Sequence, residues 1–61
     1  MEFIEENRKL KGITVTELTK RIGVSRRIYY NWVNGEKKPK LENVYKMCEV
    51  LGIEFNIKDF I

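Results

Sequence analysis

Apolar residues along the chain recur every three or four positions, in segments that each end near a glycine. The four glycines are Gly12, Gly23, Gly35 and Gly52, and glycine is the usual residue just after a helix end. The sequence lacks the continuous apolar–polar alternation that would indicate strands. The pattern therefore predicts an all-α domain, a compact bundle of four to five short helices.

The first two predicted helices are bounded by clear local signals. The first covers residues 2–11, with its acidic residues early and its basic residues late, as the helix dipole favours. The second begins at Thr14, and Glu17 three residues later completes a capping box. The predicted inner residues of these helices are Phe3, Ile4, Leu10, Leu18 and Ile22.

The third and fourth predicted helices follow the short segment "IGVS". Ser25 is the natural N-cap of a third helix over residues 25–34. The fourth runs from about Leu41 to Leu51, after Pro39. Its apolar stripe comprises Leu41, Val44, Cys48 and Leu51, flanked by Tyr45 and Met47, and we expect Met47 and Val50 to be partly exposed. In the tail, Asn56 is expected to cap one more turn.

The third helix separates into two faces on a helical wheel drawn at about 100° per residue. The apolar face, suited to burial, carries Ile28, Tyr29, Trp32 and Val33. The opposite face carries Arg26, Arg27, Tyr30, Asn31 and Asn34. An idle surface would favour Glu, Lys and Gln, whereas arginine and asparagine form paired hydrogen bonds with guanine and adenine. This face favours base and phosphate contact over a protein-binding or idle surface.

Positive charge is concentrated in the same part of the chain. Residues 25–40 carry five basic side chains and one acidic one, whereas residues 41–61 are net negative. Taken alone, such a cluster fits either an anionic partner, with nucleic acid the leading candidate, or a solvated basic surface.

The residue inventory argues against several classes of protein. The 61 residues include no histidine and a single cysteine, Cys48, so an internal disulfide, a zinc site and an imidazole base are excluded. The start "MEFIEE" is unlike a signal peptide, and no apolar run reaches the length of a membrane span. We therefore expect one cytoplasmic, non-enzymatic domain over residues 1–61, with no metal, cofactor, small-molecule ligand or membrane contact.

Two helices joined by a short glycine-containing turn predict a helix-turn-helix with its core at about residues 14–34. In that motif the second helix enters the major groove by its N-terminal end, which here carries Arg26 and Arg27. The helix starts at Thr14 and Ser25 can offer backbone N–H groups to phosphates.

The stretch "GITVTELTKRIGVSRRIYYNWVNGEKKPKLENVYKMCEVLGI", residues 12–53, resembles the Cro/C1-type (lambda-repressor-like) helix-turn-helix family of phage and bacterial repressors. The residues that carry the resemblance are Gly12, Thr14, Leu18, Gly23, Val24, Ser25, Trp32, Asn34, Gly35, Pro39, Leu41, Leu51 and Gly52. The resemblance implies an all-α domain of about five helices that binds operator DNA, commonly as a homodimer.

The resemblance also assigns positions at the DNA. It implies base contacts by Arg26, Arg27, Tyr30 and Asn31, and backbone contacts by Asn34, Lys37 and Lys38, beside the helix starts at Thr14 and Ser25. Ile28 lies near the base-facing edge, where contact with a thymine methyl group and burial in the core both remain open.

Three residues depart from the family's pattern. Val15 stands where the family often has a glutamine that contacts DNA, so that contact falls to Thr14 or Thr16. Thr19 stands in place of a small alanine and is small enough to fit beside the third helix. Val33 replaces a glutamate that often pairs with the arginine at position 8. Arg8 therefore needs solvent, a carbonyl, a carboxylate elsewhere or a phosphate.

The sequence thus predicts a sequence-specific, double-stranded DNA-binding transcriptional regulator, a Cro/C1-type repressor that reads an operator with the helix over residues 25–34. A homodimer is expected on the operator, with the apolar C-terminal residues Phe55, Ile57, Phe60 and Ile61 as a candidate contact. The alternative is a protein-interaction module of the same fold, antitoxin-like or adaptor, that does not read bases.

Overall fold

Four α-helices make up the computed structural model, which describes residues 1–56 and 58. They are α1 (Glu2–Leu10), α2 (Val15–Ile22), α3 (Arg26–Val33) and α4 (Leu41–Leu51). No strand occurs in the described part of the chain, so the predicted all-α fold is confirmed. The predicted additional turn falls mostly outside the described residues, although the Lys58 N–H does donate to Asn56 Oδ1 at 3.1 Å.

The caps that the sequence predicts are present at the start of α2 and in the turn between α2 and α3. Thr14 Oγ1 accepts the Glu17 N–H at 3.1 Å, and Glu17 Oε1 accepts the Thr14 N–H at the same distance. Gly23 ends α2 in the left-handed region, with φ at +81°, and Ser25 Oγ accepts the Ile28 N–H at 3.1 Å to begin α3. These local bonds fix the direction in which α3 leaves the turn.

The core lies where α4 packs against α1 and α2, and α2 packs against α3. Its buried members are Ile4, Leu18, Ile22, Tyr29, Trp32, Val44, Met47, Cys48 and Leu51. Thr19 is also buried, and its hydroxyl donates to the Val15 carbonyl at 2.8 Å. The prediction that threonine fits at this position is confirmed, because its polar atom is satisfied inside its own helix.

The predicted inner side of α1 is wrong for two residues. Leu10 is 83% exposed and Phe3 is partly exposed, whereas Ile4 is fully buried. Arg8, one turn after Ile4, lies on the buried side because its guanidinium reaches the Ile13 carbonyl. On a wheel, Leu10 is about 120° from Ile4 and so faces away from the core.

The buried sector of α4 is rotated relative to the predicted stripe. Met47, expected to be partly exposed, is fully buried, and Leu41, expected inside, is 48% exposed. Because α4 packs against both α1 and α2, its buried sector extends past Val44 toward Met47. Tyr45 is exposed at the other edge of the buried sector. Its ring meets that of Phe55 edge-on, with a distance of 6.0 Å between the ring centroids. Val50 is half-buried, as expected.

The apolar face of α3 is narrower than predicted. Tyr29 and Trp32 are buried and Val33 is half-buried, but Ile28 is 44% exposed. Ile28 lies in the first turn of α3, among the exposed residues that begin the helix, while Trp32 lies one turn deeper.

Within the described residues, no helix is long and apolar enough to cross a membrane.

Candidate functional site

The outward side of α3 carries the four side chains predicted to contact bases: Arg26, Arg27, Tyr30 and Asn31. We call these four residues the outer face of α3. Arg26, Arg27 and Tyr30 are exposed and Asn31 is half-buried. Within residues 1–56 and 58, neither arginine side chain forms an ion pair or a hydrogen bond. Both guanidinium groups are therefore available to an external ligand.

The opposite side of α3 is anchored in the protein interior. Tyr29 is fully buried, and its ring meets that of Trp32 edge-on at a centroid distance of 6.2 Å. The Tyr29 hydroxyl donates to Glu5 Oε1 on α1. Because packing and a hydrogen bond both hold this side, the outer face is presented on a helix with a fixed orientation.

Arg8 is the second partner of Glu5. This contact gives Arg8 a carboxylate in place of the glutamate that Val33 replaces. Arg8 donates from Nε to Glu5 Oε1 at 2.8 Å and from Nη2 to Glu5 Oε2 at 3.1 Å. Its Nη1 donates to the Ile13 carbonyl at 2.8 Å. Arg8 is therefore satisfied by a carboxylate of its own helix and by a carbonyl, two of the partners that the sequence left open.

The protonation states in this cluster follow from its contacts. The hydrogen bond from Arg8 holds the pKa of the Glu5 carboxyl below its ordinary value, against an opposing effect of burial. The same bond raises the pKa of Arg8. Burial, with the hydrogen bond to Glu5, raises the pKa of Tyr29. Glu5 and Arg8 thus stay charged and Tyr29 stays a neutral donor at neutral pH.

The N-terminal end of α3 differs electrostatically from those of the other helices. An acidic residue lies in the first turn of α1, α2 and α4, but the first turn of α3 contains none. Arg26 and Arg27 stand there instead, next to the positive end of the helix dipole. Each such charge costs roughly 0.3–1 kcal/mol at an exposed helix end. An anion bound at this end would relieve that repulsion.

Three predicted backbone-contact residues, Thr14, Thr16 and Ser25, lie at the starts of α2 and α3 and are exposed. The hydroxyl oxygens of Thr14 and Ser25 already accept helix N–H groups. Their O–H groups can still donate, so these residues can bind a phosphate oxygen without giving up their capping role.

The other predicted backbone contacts, Asn34, Lys37 and Lys38, lie at the end of α3 and in the following loop, and all are exposed. The Asn31 carbonyl accepts the backbone N–H groups of Glu36 at 2.9 Å and Lys37 at 3.3 Å. The basic loop is therefore tied to the last turn of the helix that carries the outer face.

Lys40 belongs to the basic stretch predicted from the sequence, but it was not among the predicted backbone contacts. Lys40 occupies the N-cap position of α4, is exposed, and makes no capping hydrogen bond with its side chain. The signal in the sequence was the close spacing of Lys37, Lys38 and Lys40. No group of metal-binding side chains is found among the described residues. The exposed arginines and lysines of this site can bind an anionic, hydrogen-bonding surface.

Comparison with known proteins agrees with this geometry. A family model described as Helix-turn-helix matches residues 4–57, a range that includes nearly all of the four helices and the turn between α2 and α3. No curated protein and no solved structure matches the chain.

Proposed function

Because this chain belongs to the Cro/C1-type helix-turn-helix family of DNA-binding regulators, we propose that it is a transcriptional repressor that reads a specific operator with α3. The observation that carries the proposal is the outer face of α3. Its arginines have no partner within the described residues, while Tyr29 and Trp32 hold the other side of the helix in the core. A cytoplasmic location is part of this proposal, because the protein must reach operator DNA.

In this proposal α3 enters the major groove by its N-terminal end, where Arg26 and Arg27 are exposed. Each arginine can donate two hydrogen bonds to guanine O6 and N7, and Asn31 can pair with adenine N6 and N7. Tyr30 can contact a phosphate or a thymine methyl group. The DNA then supplies the negative charge that the first turn of α3 lacks.

The backbone contacts hold α3 in register along the groove. We assign them to Thr14, Thr16 and Ser25 on one side of the outer face, and to Asn34, Lys37 and Lys38 on the other. Such contacts position a protein on the duplex without reading its sequence. They also make affinity depend on salt, because each neutralised phosphate releases counterions.

A homodimer on a two-fold operator completes the proposal. The two copies of α3 would then read half-sites about 34 Å apart. We place the contact in the C-terminal segment, where Phe55 is half-buried beside the exposed ring of Tyr45; Ile57, Phe60 and Ile61 lie outside the described residues. Sedimentation that finds one protomer per operator, and a monomer at high concentration, would refute this part.

Selection of bound sites from a random duplex library tests the proposal as a whole. A preferred, two-fold sequence is expected. A module that binds only protein would select no sequence and would not shift random DNA at low salt, which separates the alternative function from this one.

Protein variants tested on the selected operator and on random DNA then distinguish base reading from phosphate contact. Arg27→Ala should cost about 1–3 kcal/mol on the operator, relax the preference at one base pair and change binding to random DNA less. Lys37→Ala should weaken the complexes with operator and with random DNA alike. It should also reduce the slope of log affinity against log salt concentration by about 0.9. Lys20→Ala, an exposed lysine of α2 outside the proposed site, is the matched control. Equal losses on operator and random DNA for Arg27→Ala would contradict base reading.

A further inference from the structure

Ile28 is exposed on α3 at 44%, although the helical pattern of the sequence placed it on the apolar face. We propose that Ile28 reads the 5-methyl group of a thymine in the operator. The inference rests on the proposed function, because it needs α3 to lie in the major groove. It adds an apolar specificity residue to a surface otherwise made of hydrogen-bonding side chains.

The position of Ile28 on α3 suits such a contact. It follows Arg27 directly and lies at the edge between the two sides of the helix, roughly 60° around the axis from Asn31 and roughly 40° from the buried Trp32. Its own N–H is held by Ser25 Oγ at 3.1 Å, which fixes the first turn of α3. The base-reading part of such a helix is its N-terminal end, and Ile28 is the third residue of α3.

The side chain itself is a rigid apolar surface. Isoleucine is branched at Cβ and has one strongly preferred χ1 rotamer in a helix. Part of the side chain is covered by the protein, so the exposed part has a fixed direction. An isoleucine at an exposed helix position lowers helix propensity and leaves apolar surface in water. A groove-bound thymine would cover that surface.

The chemistry of the major groove determines the ligand. Thymine is the ordinary base that presents a methyl group there, whereas cytosine presents an N4 amino donor. An apolar side chain pressed against that amino group would leave it without an acceptor, which is unfavourable. Ile28 would thus select thymine both by burying its methyl group and by desolvating the amino group of cytosine.

Single exposed apolar residues also occur on surfaces that bind nothing, so the test must isolate the methyl group. We would replace each thymine of the selected operator, one at a time, by deoxyuridine, which removes only the methyl. At one thymine per half-site, the wild-type protein should lose about fourfold in affinity, the equivalent of one buried methyl group.

Ile28→Ala should bind the thymine and uracil operators equally at that position while keeping its discrimination elsewhere. Ile28→Val, which keeps the branched Cβ, should retain part of the difference and also serves if the alanine variant unfolds at a lower temperature. Leu41→Ala replaces a similarly exposed apolar residue on α4 and should behave like the wild type.

Two results would overturn the inference while leaving the proposed function intact. One is an operator on which no uracil substitution weakens wild-type binding. The other is an Ile28→Ala protein that keeps the full thymine preference at every position. Failure to select any operator, in contrast, would count against the proposed function itself.

Discussion

The hydroxyl of Tyr29 donates a hydrogen bond to the carboxylate of Glu5, which joins the buried side of α3 to α1. Arg8 binds the same carboxylate from within α1. The family often places a glutamate where this chain has Val33, and that glutamate pairs with the arginine at position 8. Here Glu5 of α1 is the carboxylate that pairs with Arg8, and the hydrogen bond from Tyr29 links this pair to α3.

Removal of this hydroxyl should weaken the fold. Tyr29→Phe keeps the ring and its packing but leaves Glu5 without one donor, so we expect the free energy of unfolding to fall by about 1–2 kcal/mol. Urea denaturation followed by circular dichroism measures the change. Tyr30→Phe is the matched control, because Tyr30 is exposed on the outer face, and it should change stability by less than about 0.5 kcal/mol. Equal effects in the two variants would contradict the role of the Glu5 contact.

The stabilising effect of Glu5 should depend on pH. Its pKa in the folded protein lies below the ordinary value of 4.5, chiefly because Arg8 donates to the carboxylate. The stabilisation is therefore complete above pH 4.5 and is lost as the pH falls through the lower, folded-state pKa. The stability difference between wild type and Glu5→Gln should be largest near neutral pH and shrink below pH 4.5.

Denaturant unfolding of both proteins across this pH range checks the expectation. Glu17, whose pKa is also lowered, mainly by the hydrogen bond from the Thr14 backbone, is present in both proteins and cancels in the difference. A difference that stays constant from neutral to acidic pH would show that the charge on Glu5 does not stabilise the fold.

Arg26 should oppose folding while favouring DNA binding. It stands in the first turn of α3, next to the positive end of the helix dipole and without an acidic neighbour in that turn. Arg26→Glu removes an unfavourable charge and adds a favourable one, so it should raise the free energy of unfolding by roughly 0.6–2 kcal/mol and abolish a DNA gel shift. Arg26→Gln, which removes the charge without reversing it, should give smaller changes in the same directions. A destabilised Arg26→Glu protein would contradict the electrostatic argument.

The turn of the helix-turn-helix should require glycine at position 23 for its backbone conformation alone. Gly23 has φ at +81°, yet a Cβ placed there would meet no atom within 4 Å. Gly23→Ala should therefore cost about 1–2 kcal/mol from the left-handed conformation. Gly23→Asn should cost less, because asparagine adopts that region more readily. Thermal unfolding compares the two variants, and equal losses would point to a steric cause instead.

The features of this fold that the sequence predicted correctly are those determined by residues close together in the chain. The capping box of Thr14 and Glu17 and the Ser25 cap each involve residues three apart, so their bonds form wherever a helix begins there. The four helices could be bounded from these caps and from the glycines. The exposure of Arg26 and Arg27 followed from their position opposite Tyr29 and Trp32 on α3.

The parts that the sequence did not predict depend on how helices pack. Leu10 was expected inside and Met47 partly exposed, and both predictions are wrong because a wheel gives the spacing of apolar residues but not the direction of neighbouring helices. The partner of Arg8 depended on Glu5 and Ile13 meeting at one guanidinium, and the bond from Tyr29 to Glu5 joins residues 24 apart in the chain. The base contacts of the outer face stay a prediction, because they depend on how α3 fits into a DNA groove.

The two hydrogen bonds that the Asn31 carbonyl accepts from the loop have a consequence for discrimination between sites. If α3 shifts or tilts over a mismatched base pair, the anchored loop moves with it, and Lys37 and Lys38 together leave the phosphates that we propose they contact. A single mismatched base pair would then weaken the lysine–phosphate contacts as well as the hydrogen bonds to that base pair. Mismatch penalties should accordingly be steeper at low ionic strength than at high.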